Sequence, residues 1–174
     1  MGNFSLKFDK FWETFIKYNG YVKVLEGLKN TLTIAVLGLI IGIVIGTLIA
    51  TARVIPQYKV LPRILNKICS FYVALFRGTP IVVQLLVFYY VLLPLMGSRM
   101  TGIQVAVMVF GLNSAAYISE IMRGGIMSVD SGQMEAGRAV GLSFGTTMLK
   151  IVIPQAVKNI LPTMGNELIA LIKD

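Results

Sequence analysis

Histidine is absent from this chain and cysteine occurs once, at Cys69. Without histidine, the usual His-bearing zinc site and any His-based nucleophilic triad are excluded. A lone cysteine excludes an internal disulfide framework, and within its apolar run Cys69 reads as a small buried residue. Charge is scarce as well. Only 14% of the 174 residues are Asp, Glu, Lys or Arg, against about 25% in average soluble domains, too few to cover a soluble globule of this length. Acids are scarcer than bases, 8 against 16, for a net charge of +8. On a polar domain that balance would suggest nucleic acid. Here the basic residues stand between apolar stretches, so the reading is retention at lipid headgroups and in the cytosol, with no nucleic-acid partner. A cleavable signal peptide is not visible, because the first 29 residues carry lysines and acids throughout and lack a continuous apolar run.

What is there is apolar. Hydrophobic residues make up 56% of the chain and the mean hydropathy is +0.77, which places it in the membrane class as one domain. Residues 30–52 form 23 positions without a charge, bracketed by Lys29 and Arg53. At 1.5 Å rise each, such a helix crosses a hydrocarbon core of about 30 Å. Residues 78–98 and 100–119 give further uncharged runs of 21 and 20. A fourth run, 151–172, carries Lys158 and Glu167 together with Pro154 and Pro162; such prolines survive in membrane helices where neighbours satisfy the freed carbonyls. The expectation is an all-α integral membrane bundle of about four spans.

Ahead of the first span, Phe4, Phe8, Phe11, Trp12, Phe15 and Ile16 alternate with Lys7, Lys10 and Lys17 at helical spacing. Residues 1–22 therefore read as an interfacial amphipathic segment with aromatic anchors, a disordered tail being the plainer alternative. Arg53, Lys59, Arg63 and Lys67 form a basic connection interrupted by Pro56 and Pro62. An apolar run, 64–76, then meets Arg77-Gly78-Thr79-Pro80. The residue before proline is biased away from the helical region and Gly78 adds freedom, so a helix break is expected there. Placing the 53–67 and 123–150 connections in the cytosol puts seven cations inside against six outside, which leaves orientation open on charge alone.

The segment 124–150 breaks the apolar pattern. Asp130 can cap a helix and Gln133, three residues on, can reach back to it. Small residues follow at Ala136, Gly137, Ala139 and Gly141. Such a surface allows close approach by another, and Gly141 suits a left-handed helix end. A polar connecting loop is the alternative to a docking element.

The run Glu135-Ala136-Gly137, Gly141 four residues on, and Ile151-Val152-Ile153-Pro154 after nine more resembles the signature loop of ABC importer permeases. Gly137 stands where that pattern usually has Ala, and Ile153 where it has Leu. Asn30-Thr31-Leu32, Phe76-Arg77-Gly78-Thr79-Pro80 with Gln84-Leu85, Asn113-Ser114-Ala115-Ala116-Tyr117, Glu120-Ile121-Met122-Arg123-Gly124-Gly125-Ile126, Leu161-Pro162, Gly165-Asn166-Glu167 and Leu171-Ile172-Lys173-Asp174 resemble the polar amino acid branch, over roughly residues 23–174. The resemblance implies a type I importer permease domain over 23–174 with a coupling loop at 124–150, in the bacterial cytoplasmic membrane. It also implies a second permease copy or paralogue, cytosolic ATPase subunits, an extracytoplasmic solute-binding protein and an amino acid substrate. Family members continue past Asp174 with one more span, so the expectation is a bundle lacking that last span. No Gly-rich loop ending in Lys-Ser or Lys-Thr occurs, so ATP and Mg are expected on the partner ATPase and no cofactor or metal on this chain.

The candidate residues follow. Gly132, Gln133, Glu135, Ala136, Gly137, Gly141, Ile151 and Pro154 make the coupling loop. Arg77, Thr79, Gln84, Asn113, Ser114, Tyr117, Asn166 and Glu167 are candidates for the translocation path or substrate binding. Asn113 and Tyr117 are one turn apart, and polar groups at membrane depth face a cavity or a partner helix. Glu167 could meet the cation of an amino acid, or pair with Lys173 or Arg77. Glu120 and Arg123 are spaced for a local ion pair. Gly38, Gly42 and Gly46, with Ala50 continuing the row, form a flat packing face used either within one subunit or at a dimer seam. Other classes remain: a non-transporting structural or assembly subunit, a permease for another small solute, or an ion channel, for which no filter-like sequence is present.

Overall fold

The computed structural model describes residues 2–173. Helix α1 spans Gly2–Trp12 and passes through a π-helical turn at Glu13–Lys17. Aromatics of this segment are stacked in pairs, exposed Phe8 on Trp12 and Phe11 on the half-buried Phe15 of the π-helical turn. Helix α2 runs unbroken over Gly20–Val54, so it begins well before the uncharged run. Helix α3, Val60–Gly78, gathers the basic connection and the apolar run that follows into one element. Cys69 lies on it and is half-buried rather than buried.

The expected break falls after Gly78. Thr79 is extended at φ −120° and ψ 139°, and Pro80 begins helix α4, Ile81–Val87. A π-helical turn at Phe88–Leu92 and the short α5, Leu93–Leu95, complete that arm, which leaves α3 at 105°. Helix α6 is Gly102–Met127, opened by a capping box in which Thr101 accepts from the Gln104 amide and Gln104 accepts from the Thr101 amide. Helices α7, Ser131–Ala139, and α8, Phe144–Thr147, precede a π-helical turn at Met148–Val152 and helix α9, Ile153–Lys173. Among the described residues, α2 and α6 are each long and apolar enough to cross a membrane, and the bent arm joins them when taken as one span. Helix α9 carries Lys158, Asn159, Asn166 and Glu167 among its apolar residues and is less hydropathic.

Packing is organised on α6. A Cβ placed on Gly38 would meet Phe110 at 3.3 Å, one on Gly42 would meet Ser114 at 2.7 Å, and one on Gly46 would meet the Ala115 carbonyl at 2.9 Å. Numbers rise together along both helices, so α2 and α6 run parallel and their C-terminal ends share one side. The small-residue row is therefore spent within the subunit, which decides between the two readings of that face. Helix α9 runs the other way. Gly125 near the end of α6 receives the Ile160 side chain, while Leu171 at the far end of α9 clusters with Ala35 and Phe110. The bent arm crosses the bundle between the end of α2 and the start of α6, held by Tyr72, whose hydroxyl donates to the Leu112 carbonyl at 2.5 Å.

Candidate functional site

The break between α3 and α4 frees carbonyls that no helical amide can reach. Gln84, one turn into α4, meets them. Its amide nitrogen donates to the Phe76 carbonyl at 2.9 Å and the Thr79 carbonyl at 3.0 Å, and lies 2.9 Å from Thr79 Oγ1 and 3.4 Å from Asn113 Oδ1. Gln84 is buried, so this sequence candidate holds the elbow in shape instead of lining the cavity. Thr79 adds a bond from its hydroxyl to the Leu75 carbonyl.

A cavity of about 470 Å³ opens beside the elbow, lined by Arg77, Thr79, Asn113, Tyr117 and Glu167 together with small and apolar neighbours. Its size falls within the range of small-molecule sites. Tyr117 is the residue of the middle of α6 that reaches open space, 36% exposed, whereas Ser114, Ala115, Ala116, Ile118 and Ser119 beside it are buried. The Arg77 guanidinium sits over the Tyr117 ring, 5.3 Å from its centroid, within cation–π range. Five of the eight path candidates thus share one cavity. Ser114 does not: it faces Gly42 on α2, with its hydroxyl unpartnered. Asn166 does not either, since it is exposed and absent from the lining. Helix phase explains the split, because consecutive residues point about 100° apart.

Sequence reasoning found the Glu120–Arg123 pair, which is present at 2.9 Å. It missed the rest of the cluster. Arg53 from the end of α2 hydrogen-bonds the other carboxylate oxygen of Glu120, and Arg77 from the end of α3 approaches at 4.0 Å. Separations of 67 and 43 residues leave no local pattern; the one signal was an acid near the end of a span with cations on two other elements.

The docking segment is built at the end where α2 and α6 finish. Asp130 caps α7 through Oδ1 on the Gly132 amide at 2.7 Å. The expected capping box does not form. Gln133 turns away and accepts from Gln155 at 3.2 Å, tying α7 to the start of α9. Asn159 adds a bond to Ser128 at 2.8 Å. Gly141 ends the segment at φ +87°, with the Leu142 amide returning to the Gly137 carbonyl at 3.1 Å, the left-handed end its position suggested. Glu135, Ala136, Arg138 and Val140 are exposed, Gly132 and Ile151 are half-buried, and Pro154 is exposed at the base of α9.

Gly137 is buried against Thr147, whose methyl group a Cβ would overlap. This accounts for glycine where the resembling pattern has alanine. Gly137→Ala should therefore lower stability by about 1–3 kcal/mol, the usual cost of overpacking. Thr147→Ser, which removes that methyl and keeps the hydroxyl bond to the Ser143 carbonyl, should restore part of the loss, the remainder coming from Oγ1, which a Cβ would meet at 2.9 Å. A double-mutant thermal-unfolding cycle checks it; additive losses would contradict the contact.

A multi-helix membrane bundle with a broken span beside a polar cavity and a capped polar helix at one end defines a membrane transport component. Residues 38–174 match the family described as "Binding-protein-dependent transport system inner membrane component". The arginine transport system permease protein ArtQ of Bacillus subtilis is 42% identical over 151 residues, 87% of this chain and 67% of the relative. The putative glutamine transport system permease protein GlnP of Rickettsia bellii is 40% identical over 164 residues, 94% of this chain and 73% of the relative. A solved structure described as an amino acid ABC transporter with histidines superposes at a TM-score of 0.80 with 36% identity, over 91% of this chain and 72% of the other. The MetNI methionine ABC transporter, at 21% identity and a TM-score of 0.71 over 86% of this chain and 69% of the other, shares the fold. The chain belongs to the binding-protein-dependent transport system inner membrane component family. It is a multi-pass permease of the cell membrane.

Proposed function

We propose that this permease serves an ATP-driven importer of polar amino acids, forming the solute path and receiving motion from a cytosolic ATPase through α7. The observation that carries the coupling half is the exposed, capped helix α7, fixed to the bundle through Gly137 and Gln133 and left open on its outer face. A rigid attachment with a free face suits an element that transmits force. Burying Val140, 77% exposed, and Leu149, 68% exposed, in an ATPase cleft would add apolar contact to the polar fit. ATP and Mg²⁺ belong to that partner, where nucleotide binding differs between the open and closed states and so shifts the permease between them. With α7 on the cytosolic side, the parallel packing of α2 and α6 puts Arg53 and Arg123 there too. A second permease copy or paralogue and an extracytoplasmic binding protein complete the assembly.

The substrate class is supported by the relatives named for arginine and glutamine transport and by the cavity, which offers a guanidinium at Arg77 and a carboxylate at Glu167. These two charges match the two ends of an amino acid. Reconstitution with the ATPase and binding protein, followed by a screen for the solute that stimulates ATP hydrolysis, tests the reading. Stimulation by no amino acid would overturn it. Glu167→Gln should raise the KM for a cationic or zwitterionic amino acid about tenfold or more, the scale of a lost charge-assisted hydrogen bond. Unchanged uptake kinetics would remove Glu167 from the binding role.

A further inference from the structure

Three guanidinium groups converge on one carboxylate where α2, α3 and α6 meet. Arg53 and Arg123 hydrogen-bond Glu120 directly. Arg77 is the outlier, at 4.0 Å and beyond hydrogen-bonding distance. The cluster is short of acceptors: Arg53 Nε is buried and finds none, an arrangement that calls for a further anionic or polar partner. The three arginines also differ in access. The Arg53 side chain is 13% exposed, whereas that of Arg77 is 45% exposed and lines the same cavity as Glu167. Arg77 stands one residue before Gly78, the last residue of α3, directly ahead of the elbow.

We propose that Arg77 is shared between Glu120 and the ligand. In the empty cavity Glu120 acts as a positioning residue that holds Arg77 loosely at the rim. An entering carboxylate takes Arg77 from it by a charge-assisted, two-pronged contact. Glu120 remains neutralised by Arg53 and Arg123, so the transfer leaves no isolated charge behind. Because Arg77 leads into the elbow, occupancy of the cavity is thereby linked to the α3–α4 bend. This inference rests on the importer reading and specifies which end of the solute Arg77 receives.

The test compares amino acids with the same molecules lacking the carboxylate. Equilibrium binding is measured on the whole permease–ATPase complex in nanodiscs without binding protein, using arginine against agmatine and glutamine against 4-aminobutanamide. Wild type should prefer the carboxylate-bearing member about tenfold or more. Arg77→Gln should reduce that preference to near one, and Arg77→Lys should leave it intermediate. Glu120→Gln removes the competitor and should tighten amino acid binding several-fold, with the decarboxylated amine unaffected. Should Glu120→Gln fail to fold with Arg53 and Arg123 unpaired, Glu120→Asp keeps the charge, shortens the reach toward Arg77 and should shift the preference the same way. A preference that survives Arg77→Gln overturns the proposal. So does Glu120→Gln or Glu120→Asp weakening both probes equally, the result of a purely structural role. Equal binding of the two members of a pair by wild type overturns it while leaving amino acid import intact; binding of neither amino acid overturns both.

Discussion

Gly42→Leu should leave almost no folded permease. The Gly42 position already sits where a single Cβ would lie 2.7 Å from Ser114 Oγ, 2.8 Å from Ser114 Cβ and 3.1 Å from the end of Ile118. Ser114 and Ile118 are fully buried on α6 and cannot retreat. Helices in lipid associate through close van der Waals contact, with no hydrophobic gain to offset a gap. Separating α2 from α6 would also draw Arg53 away from Glu120, breaking a partly buried ion pair at the end of the bundle. The combined cost should exceed the 1–3 kcal/mol typical of overpacking, reaching about 4 kcal/mol or more. Gly27→Leu, on the same helix with nothing within 4 Å of its Cβ, should fold normally. Fluorescence-detected size exclusion with thermal challenge distinguishes the two, and equal stability of the variants would refute the packing account.

Gly141→Asp should separate folding from transport. Its Cβ would meet nothing within 4 Å, but the backbone is at φ +87°. A side chain there costs about 1–2 kcal/mol, less for Asp than for most residues, so the bundle should persist. The effect should fall on the face beyond it: distortion of the Gly137–Leu142 closure and a new charge beside exposed Val140. Recovery of the ATPase by pull-down should drop at least tenfold, or ATP hydrolysis should continue without uptake. Normal recovery together with normal uptake would remove this segment from coupling.

The sequence by itself determined the features that depend on near neighbours. Uninterrupted apolar runs mark the main spans, because a backbone in lipid must satisfy its own hydrogen bonds over the thickness of the membrane. The pre-proline residue Thr79 marks the elbow, because the proline ring restricts the residue before it. Gly141 marks the left-handed end, because glycine lacks the Cβ that such a conformation crowds. The small-residue row at 38, 42 and 46 announces a packing face, and the 135–154 spacing announces the family.

Tertiary structure decided everything that depends on which helix stands opposite. It made α2 and α6 parallel and spent the glycine row inside the subunit. It gave Asn113 to the cavity and Ser114 to Gly42, two adjacent residues that the sequence offered on equal terms. It turned Gln133 from Asp130 to Gln155, and took Gln84 from the path to the elbow. It also joined Arg53, Arg77 and Glu120, whose partnership no spacing foretold. The reason is geometric: caps, turns and spans are set within one or two turns of chain, whereas a side chain's partner is set by the phase of its helix and by the neighbour that phase presents.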